Sequence, residues 1–236
     1  MNKGFTLLEM VLAIIVTSVL ALGMADLAGV GTRGYFQSID RYRVQNEARF
    51  VLEKLSREVR HAVPNLFSST NTANCISFFP IIDGGFYAIS GADLSFVVSD
   101  YDRVNKQSGA LSIVINPTQP YENIHNIDNT FDLADATTSG GVYTIANAAR
   151  LLVGGSVGQR HYVFNKSGEV QYCVNGSLIL RNSVVVSDRL IPSSENSLNY
   201  SAATVQRNGL VDMTLVFGIN GEQTQYEQEV QVTNVP

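Results

Sequence analysis

Apolar residues run almost unbroken from Phe5 to Ala25, and only Glu9 interrupts them with a charge. About 20 apolar residues is the length at which a helix crosses a bilayer. The run has no polar stripe, so no face of it suits water. Gly23, Gly29, Gly31 and Gly34 are spread across its end and the residues after it. Each lowers helix stability by up to about 1 kcal/mol. Two readings of them stay open: local flexibility, or close contact between helices. From Tyr35 to Val63 there is no glycine or proline, and the pattern becomes amphipathic. Ala48, Leu52, Leu55, Val59 and Ala62 share one stripe, with Val51 and Phe50 beside it. Arg49, Glu53, Arg57 and Arg60 point elsewhere, and Glu53 and Arg57 form an i,i+4 acid-to-base pair. The pattern predicts one helix from Phe5 to about Val63, stopped by Pro64 and about 90 Å long. Its first half is surrounded by apolar material and its second half leans on a folded domain.

Beyond Pro64 the period shortens. Strand-like runs occur at Ile76–Ile82, Ser95–Val98, Leu111–Ile115, Arg150–Val153, His161–Phe164, Val170–Val174, Leu178–Arg181, Leu210–Phe217 and Gln225–Val232. Asn165-Lys166-Ser167-Gly168 reads as the turn of one hairpin and Asn220-Gly221 as that of another. In the last run Tyr226, Val230 and Val232 alternate with Gln and Glu, as in an antiparallel sheet with one wet face. The polar stretches 68–74 and 116–139 read as loops. The expected class is α+β: a long N-terminal helix, hydrophobic then amphipathic, packed on an antiparallel β-sheet head domain.

Charge adds direction. Lys3 precedes the apolar run, and a positive flank keeps that end in the cytoplasm. Ala21-Leu22-Gly23 or Gly23-Met24-Ala25 would serve as the cleavage site of an ordinary signal peptide. The run is long for such a signal, however, and Glu9 has no purpose in one. A carboxylate in hydrocarbon costs a few kcal/mol, so a partner is expected. A cut between Gly4 and Phe5 would leave the Phe5 ammonium group one helical turn from Glu9. In a stack of parallel helices, Glu9 of one chain then meets that group on its neighbour. The net charge of −5 and the acids interleaved through 41–60 do not favour nucleic acid as a partner.

Cys75 and Cys173 are far apart and form no CxxC. In an exported chain they read most simply as one disulfide closing a loop of about 100 residues. Two buried thiols are the alternative. His61, His125 and His161 form no HxxxH or HExxH pair, and Asp128, Asp132 and Asp135 lack the glycine turn and terminal glutamate of an EF-hand loop. Gly140-Gly141 and Gly154-Gly155 are isolated doublets that suit turns. The expectation is no catalytic residues, no metal, no cofactor and no enzymatic activity.

Lys3-Gly4-Phe5-Thr6-Leu7-Leu8-Glu9 closely resembles the class III signal of type IV pilins and type II secretion pseudopilins. The resemblance implies the pilin fold. It implies that a prepilin peptidase cuts between Gly4 and Phe5, that Phe5 is N-methylated, and that Glu9 is the assembly ion-pair residue. It divides the chain into a leader (1–4), a transmembrane and assembly helix (5–63) and a periplasmic head (64–236). Many major pilins carry a proline in the second half of the apolar helix, and this sequence has only glycines there. Phe50 to Arg60, Ala62 to Asn65, Cys75 to Ile81, Tyr172-Cys173 and Glu229 to Pro236 resemble the biogenesis minor pilins of MSHA (mannose-sensitive haemagglutinin) pili, which are related to the J-type pseudopilins. That similarity implies a structural subunit that primes filament assembly at or near the tip. Its implied partners are major and minor pilins, the prepilin peptidase, the inner-membrane assembly platform and the inner membrane. The chain would span the inner membrane once, head in the periplasm, before entering a surface filament. Topmost tip subunits often lack the glutamate, so Glu9 places this chain below the top. The rival readings are a J-type secretion pseudopilin, a membrane-anchored adhesin or binding protein, and a cell-envelope enzyme.

Overall fold

A computed structural model describes residues 6–68, 74–123, 127–204 and 207–232. The fold is α+β, a long N-terminal helix followed by antiparallel β-sheets. The chain divides into two units, Met1–Asn46 and Glu47–Pro236.

The described part of the first unit is Thr6 and the opening part of α1 (Leu7–Arg60). An apolar window of this helix reaches a mean hydropathy of 2.4 and none of it is buried within the chain. By length and composition the helix can cross a membrane. The hydroxyls of Thr17 and Ser18 are satisfied internally. Thr17 and Ser18 donate back to the carbonyls of Ala13 and Ile14 at 2.8 and 2.6 Å. Such back-bonding leaves no hydroxyl unpaired in an apolar medium.

The second unit holds the last turns of α1 and the strands. Ala48, Val51, Leu52, Leu55 and Val59 are buried on one face of the helix, as its periodicity predicts, whereas Phe50 is exposed. Fully burying a Leu or Val stabilises by about 1.5–3 kcal/mol, so this face anchors the helix to the sheets. Glu58 reinforces it by accepting from Arg181 at 2.9 Å, and Glu47 pairs with Arg189 at 2.8 Å.

A five-stranded sheet has the order β1 (Ala62–Phe67), β2 (Cys75–Pro80), β10 (Val170–Asn175), β11 (Leu178–Arg181), β12 (Val184–Ser187). A seven-stranded sheet runs β6 (Thr130–Asp132), β5 (Leu111–Val114), β9 (Arg160–Asn165), β3 (Asp83–Ser90), β4 (Asp93–Val98), β8 (Val142–Ile145), β7 (Thr137–Ser139). A three-stranded sheet runs β13 (Ser197–Ser201), β14 (Leu210–Ile219), β15 (Glu222–Gln231). All named strand pairs are antiparallel. Val63, Leu66 and Phe79 from the first sheet share a core with Val114 and Phe164 from the second. The short helix α2 (Tyr101–Lys106) sends Val104 into the core of the second sheet beside Phe96 and Tyr143.

Several boundaries differ from the sequence reading. The helix ends at Arg60, and Ala62 and Val63 already belong to β1. Pro64 lies inside that strand, tolerated because β1 is an edge. The run Arg150–Val153 is no strand; a 3₁₀ turn, Ala148–Leu151, occupies its start. The turn at Asn165–Gly168 forms, with the Gly168 amide donating to the Asn165 carbonyl at 2.9 Å. It closes no hairpin, because β9 and β10 belong to different sheets. The stretch read as a loop over 116–139 contains β6 and β7. The Asn220-Gly221 hairpin forms as read: both residues have positive φ, 53° and 85°, as a type I′ turn requires.

Candidate assembly site on the N-terminal helix

Thr6 begins the helix. Its hydroxyl oxygen accepts from the Glu9 amide at 3.3 Å, which satisfies one of the four donors left free at a helix start. Thr6 and Glu9 have the spacing of a capping box, and an acid in the first turn suits the positive end of the helix dipole. The sequence reading missed this capping role of Thr6; the Thr-x-x-Glu spacing was the available signal. Glu9 is exposed among apolar neighbours, Leu8, Met10 and Leu12. Among the described residues its carboxylate has no hydrogen-bond or ion-pair partner. Gly4 and Phe5 lie outside the described residues.

Cys75 and Cys173 are joined by a disulfide. They face each other directly across β2 and β10 with Cα atoms 4.1 Å apart. The bond thus ties β2 to β10, with 98 residues of sequence separation between the two cysteines.

The remaining candidate groups are dispersed. His61 is exposed at the end of the helix, His161 is buried in β9, and His125 lies outside the described residues. Asp132 pairs with Lys166 at 2.5 Å and accepts from Ser112. Asp128 and Asp135 do not join it in a metal-binding group; none occurs among the described residues.

Asp83 is a buried carboxylate that sequence reading did not single out. It accepts from the Gly84, Ser99 and Asp100 amides at 2.6, 3.0 and 3.1 Å, and from the Ser99 hydroxyl at 2.5 Å. Arg103 adds an ion pair at 3.1 Å. Burial alone would raise the pKa, but the Ser99 hydroxyl and amide, the Gly84 amide and Arg103 bring it down to about 2. The arrangement pins β3, the end of β4 and the start of α2 together. With every donor on Asp83 coming from the fold itself, the site is structural.

The fold and this site together define a class: an apolar helix able to span a membrane, with an acid one turn from its start, bearing a β-rich domain. Residues 1–25 match the family model described as Prokaryotic N-terminal methylation motif. This is the signal of type IV pilins and pseudopilins. It implies a structural subunit, processing by prepilin peptidase and assembly with other pilins. Together with the apolar helix it supports membrane anchoring. No curated protein and no solved structure matches the chain.

Proposed function

We propose that the chain is a minor type IV pilin of an MSHA-type pilus, of the MshO group. It acts as a non-enzymatic subunit that primes filament assembly at or near the tip, beneath the topmost subunit. The observation that carries this is Glu9, an acid without a partner among the described residues, at the start of an otherwise apolar helix, inside a methylation motif. The peptidase removes residues 1–4, and Phe5 becomes the methylated N-terminus. Leaving Glu9 unpaired in hydrocarbon costs about 3 kcal/mol. An ammonium group about 4 Å away returns on the order of 4 kcal/mol at an effective dielectric near 20. The lone subunit is thereby penalised and the stacked one stabilised.

The segments from Phe50 to Asn65, Cys75 to Ile81 and around Cys173 favour the MSHA branch. The same motif serves J-type secretion pseudopilins, and genome neighbours separate the two. Mass spectrometry of the mature N-terminus is the primary test. The expected species begins at N-methylated Phe5. An intact Met1, or a cut near Ala25, would sink the proposal in favour of a plain anchor or an ordinary exported protein. Glu9→Ala is expected to abolish filament entry while the variant is still processed.

A further inference from the structure

Along the last turns of α1, Arg49, Arg57 and Arg60 border a groove of about 590 Å³ whose far wall carries Gln228 of β15. Arg57 is neutralised by Glu53 at 3.2 Å. Arg49 and Arg60 carry no ion pair among the described residues. A chain of net charge −5 thus keeps unpaired cations together in one concavity. Ser56 also lines the groove; the residue is buried, 6% exposed, and its hydroxyl has no hydrogen-bond partner among the described residues. Buried hydroxyls are normally paired, so this one points to a missing acceptor.

The rim has a second feature, a strand edge with no partner strand among the described residues. β15 is hydrogen-bonded to β14 on one side and ends the three-stranded sheet on the other. Exposed edges are usually blunted by charged side chains, lysine above all, by proline, by a bulge or by brevity, and β15 carries only glutamates of these, Glu222, Glu227 and Glu229. β15 runs for ten residues with neither lysine nor proline, and its register with β14 is unbroken. Gln228 and buried Val230 face inward, whereas Glu227 and Glu229 are exposed on the opposite face.

We propose that this groove takes an extended acidic segment of a neighbouring subunit, added as a further strand on the edge of β15 that has no partner strand among the described residues. Alternate side chains of that strand face α1, where carboxylates meet Arg49 and Arg60 and accept from Ser56. Its other side chains lie beside Glu227 and Glu229 and are uncharged. The site rests on the filament reading only for the source of the strand.

The test uses the full chain in detergent and a labelled peptide of about eight alternating Glu and Thr residues, a normal strand length, read by fluorescence polarisation. The peptide is expected to bind, and an alternating Lys/Thr peptide is not. Arg49→Glu with Arg60→Glu is expected to weaken the Glu/Thr peptide about tenfold and to admit the Lys/Thr peptide. An intact disulfide on nonreducing gels checks that the variant folds. Methylating the peptide amides along one edge should abolish binding, and along the other edge should not; tolerance of both overturns strand addition. Displacement by tripolyphosphate or phosphatidylglycerol vesicles, with no preference for the acidic peptide, overturns the site in favour of a phosphate reading. Failure to bind while Glu9-dependent assembly persists removes the site and leaves the filament. Binding by a chain that is never cut at Phe5 does the reverse.

Discussion

His161 is the residue whose environment departs most from its chemistry. It is 1% exposed, stands edge-on to Phe96, and neither ring nitrogen has a hydrogen-bond partner. Burial pushes its pKa from 6.5 down to about 4, and the nearby Asp83 carboxylate opposes this only in part. The folded chain therefore holds His161 neutral, while the unfolded chain takes up a proton below pH 6.5. Stability from this group is complete above that pH and drains away as pH falls toward 4. The loss approaches about 3 kcal/mol. Urea unfolding across this range should show it, and His161→Leu should flatten the slope. The Asp83 contribution falls in a separate window, from pH 3.8 down to about 2, because its folded pKa is lowered. None of this was legible in the sequence, where His161 is simply one residue of an apolar run. Gly85 is a second such case. A Cβ there would press on the backbone carbonyl of Val97 and reach 3.2 Å from the His161 ring. Gly85→Ala is expected to cost about 1–3 kcal/mol, read as a lowered Tm by circular dichroism.

At the level of elements, periodicity was informative where one face is wet. The helical stripe was visible because Arg49, Glu53 and Arg57 alternate with the buried residues Leu52 and Leu55. Leu55→Ala is expected to lose about 2–5 kcal/mol through the cavity it leaves, measured by urea titration. β14 and β15 were equally clear, since Asp212 and Thr214 alternate with buried Val211, Met213 and Leu215 in the first, and Tyr226 and Val230 stand among polar neighbours in the second. β1 and β3 were not. Pro64 disguised the first, and Gly84 and Gly85 the second, because both residue types weaken strand propensity. The segment Arg150–Val153 failed in the opposite sense. Its Leu and Val residues match a buried strand, but Leu151 and Val153 are exposed, at 69% and 71%. The Cys75–Cys173 bond belongs to this scale as well. By closing a loop of about 100 residues it restricts the unfolded chain, and Cys75→Ser should lower stability by about 4 kcal/mol in nonreducing unfolding experiments.

For the whole molecule, the division into two units separates assembly from folding. Glu9 lies in the first unit, and the disulfide and every buried hydrophobic residue but Val44 lie in the second. Glu9→Ala should therefore leave the thermal unfolding of the head unchanged while preventing incorporation into filaments. Parallel calorimetry and filament shearing assays would reveal any coupling. A shifted unfolding transition would mean that the acid supports the fold, through the helix start at Thr6, and that the assembly defect is indirect.

The division of labour between chain and fold follows from the range of the forces. The membrane-length helix, the isolated acid at Glu9 and the Asn220-Gly221 hairpin are local: a few adjacent residues and their period specify them. The Asp83 cluster, the isolation of His161 and the split of β9 and β10 between two sheets depend on residues brought together from distant positions. The same holds for the cationic groove. Arg49 and Arg60 are ordinary surface residues of an amphipathic helix until β15 arrives beside them with an unpaired edge. Only the folded chain brings around one cavity two arginines, a buried hydroxyl and a strand edge that have no partners among the described residues.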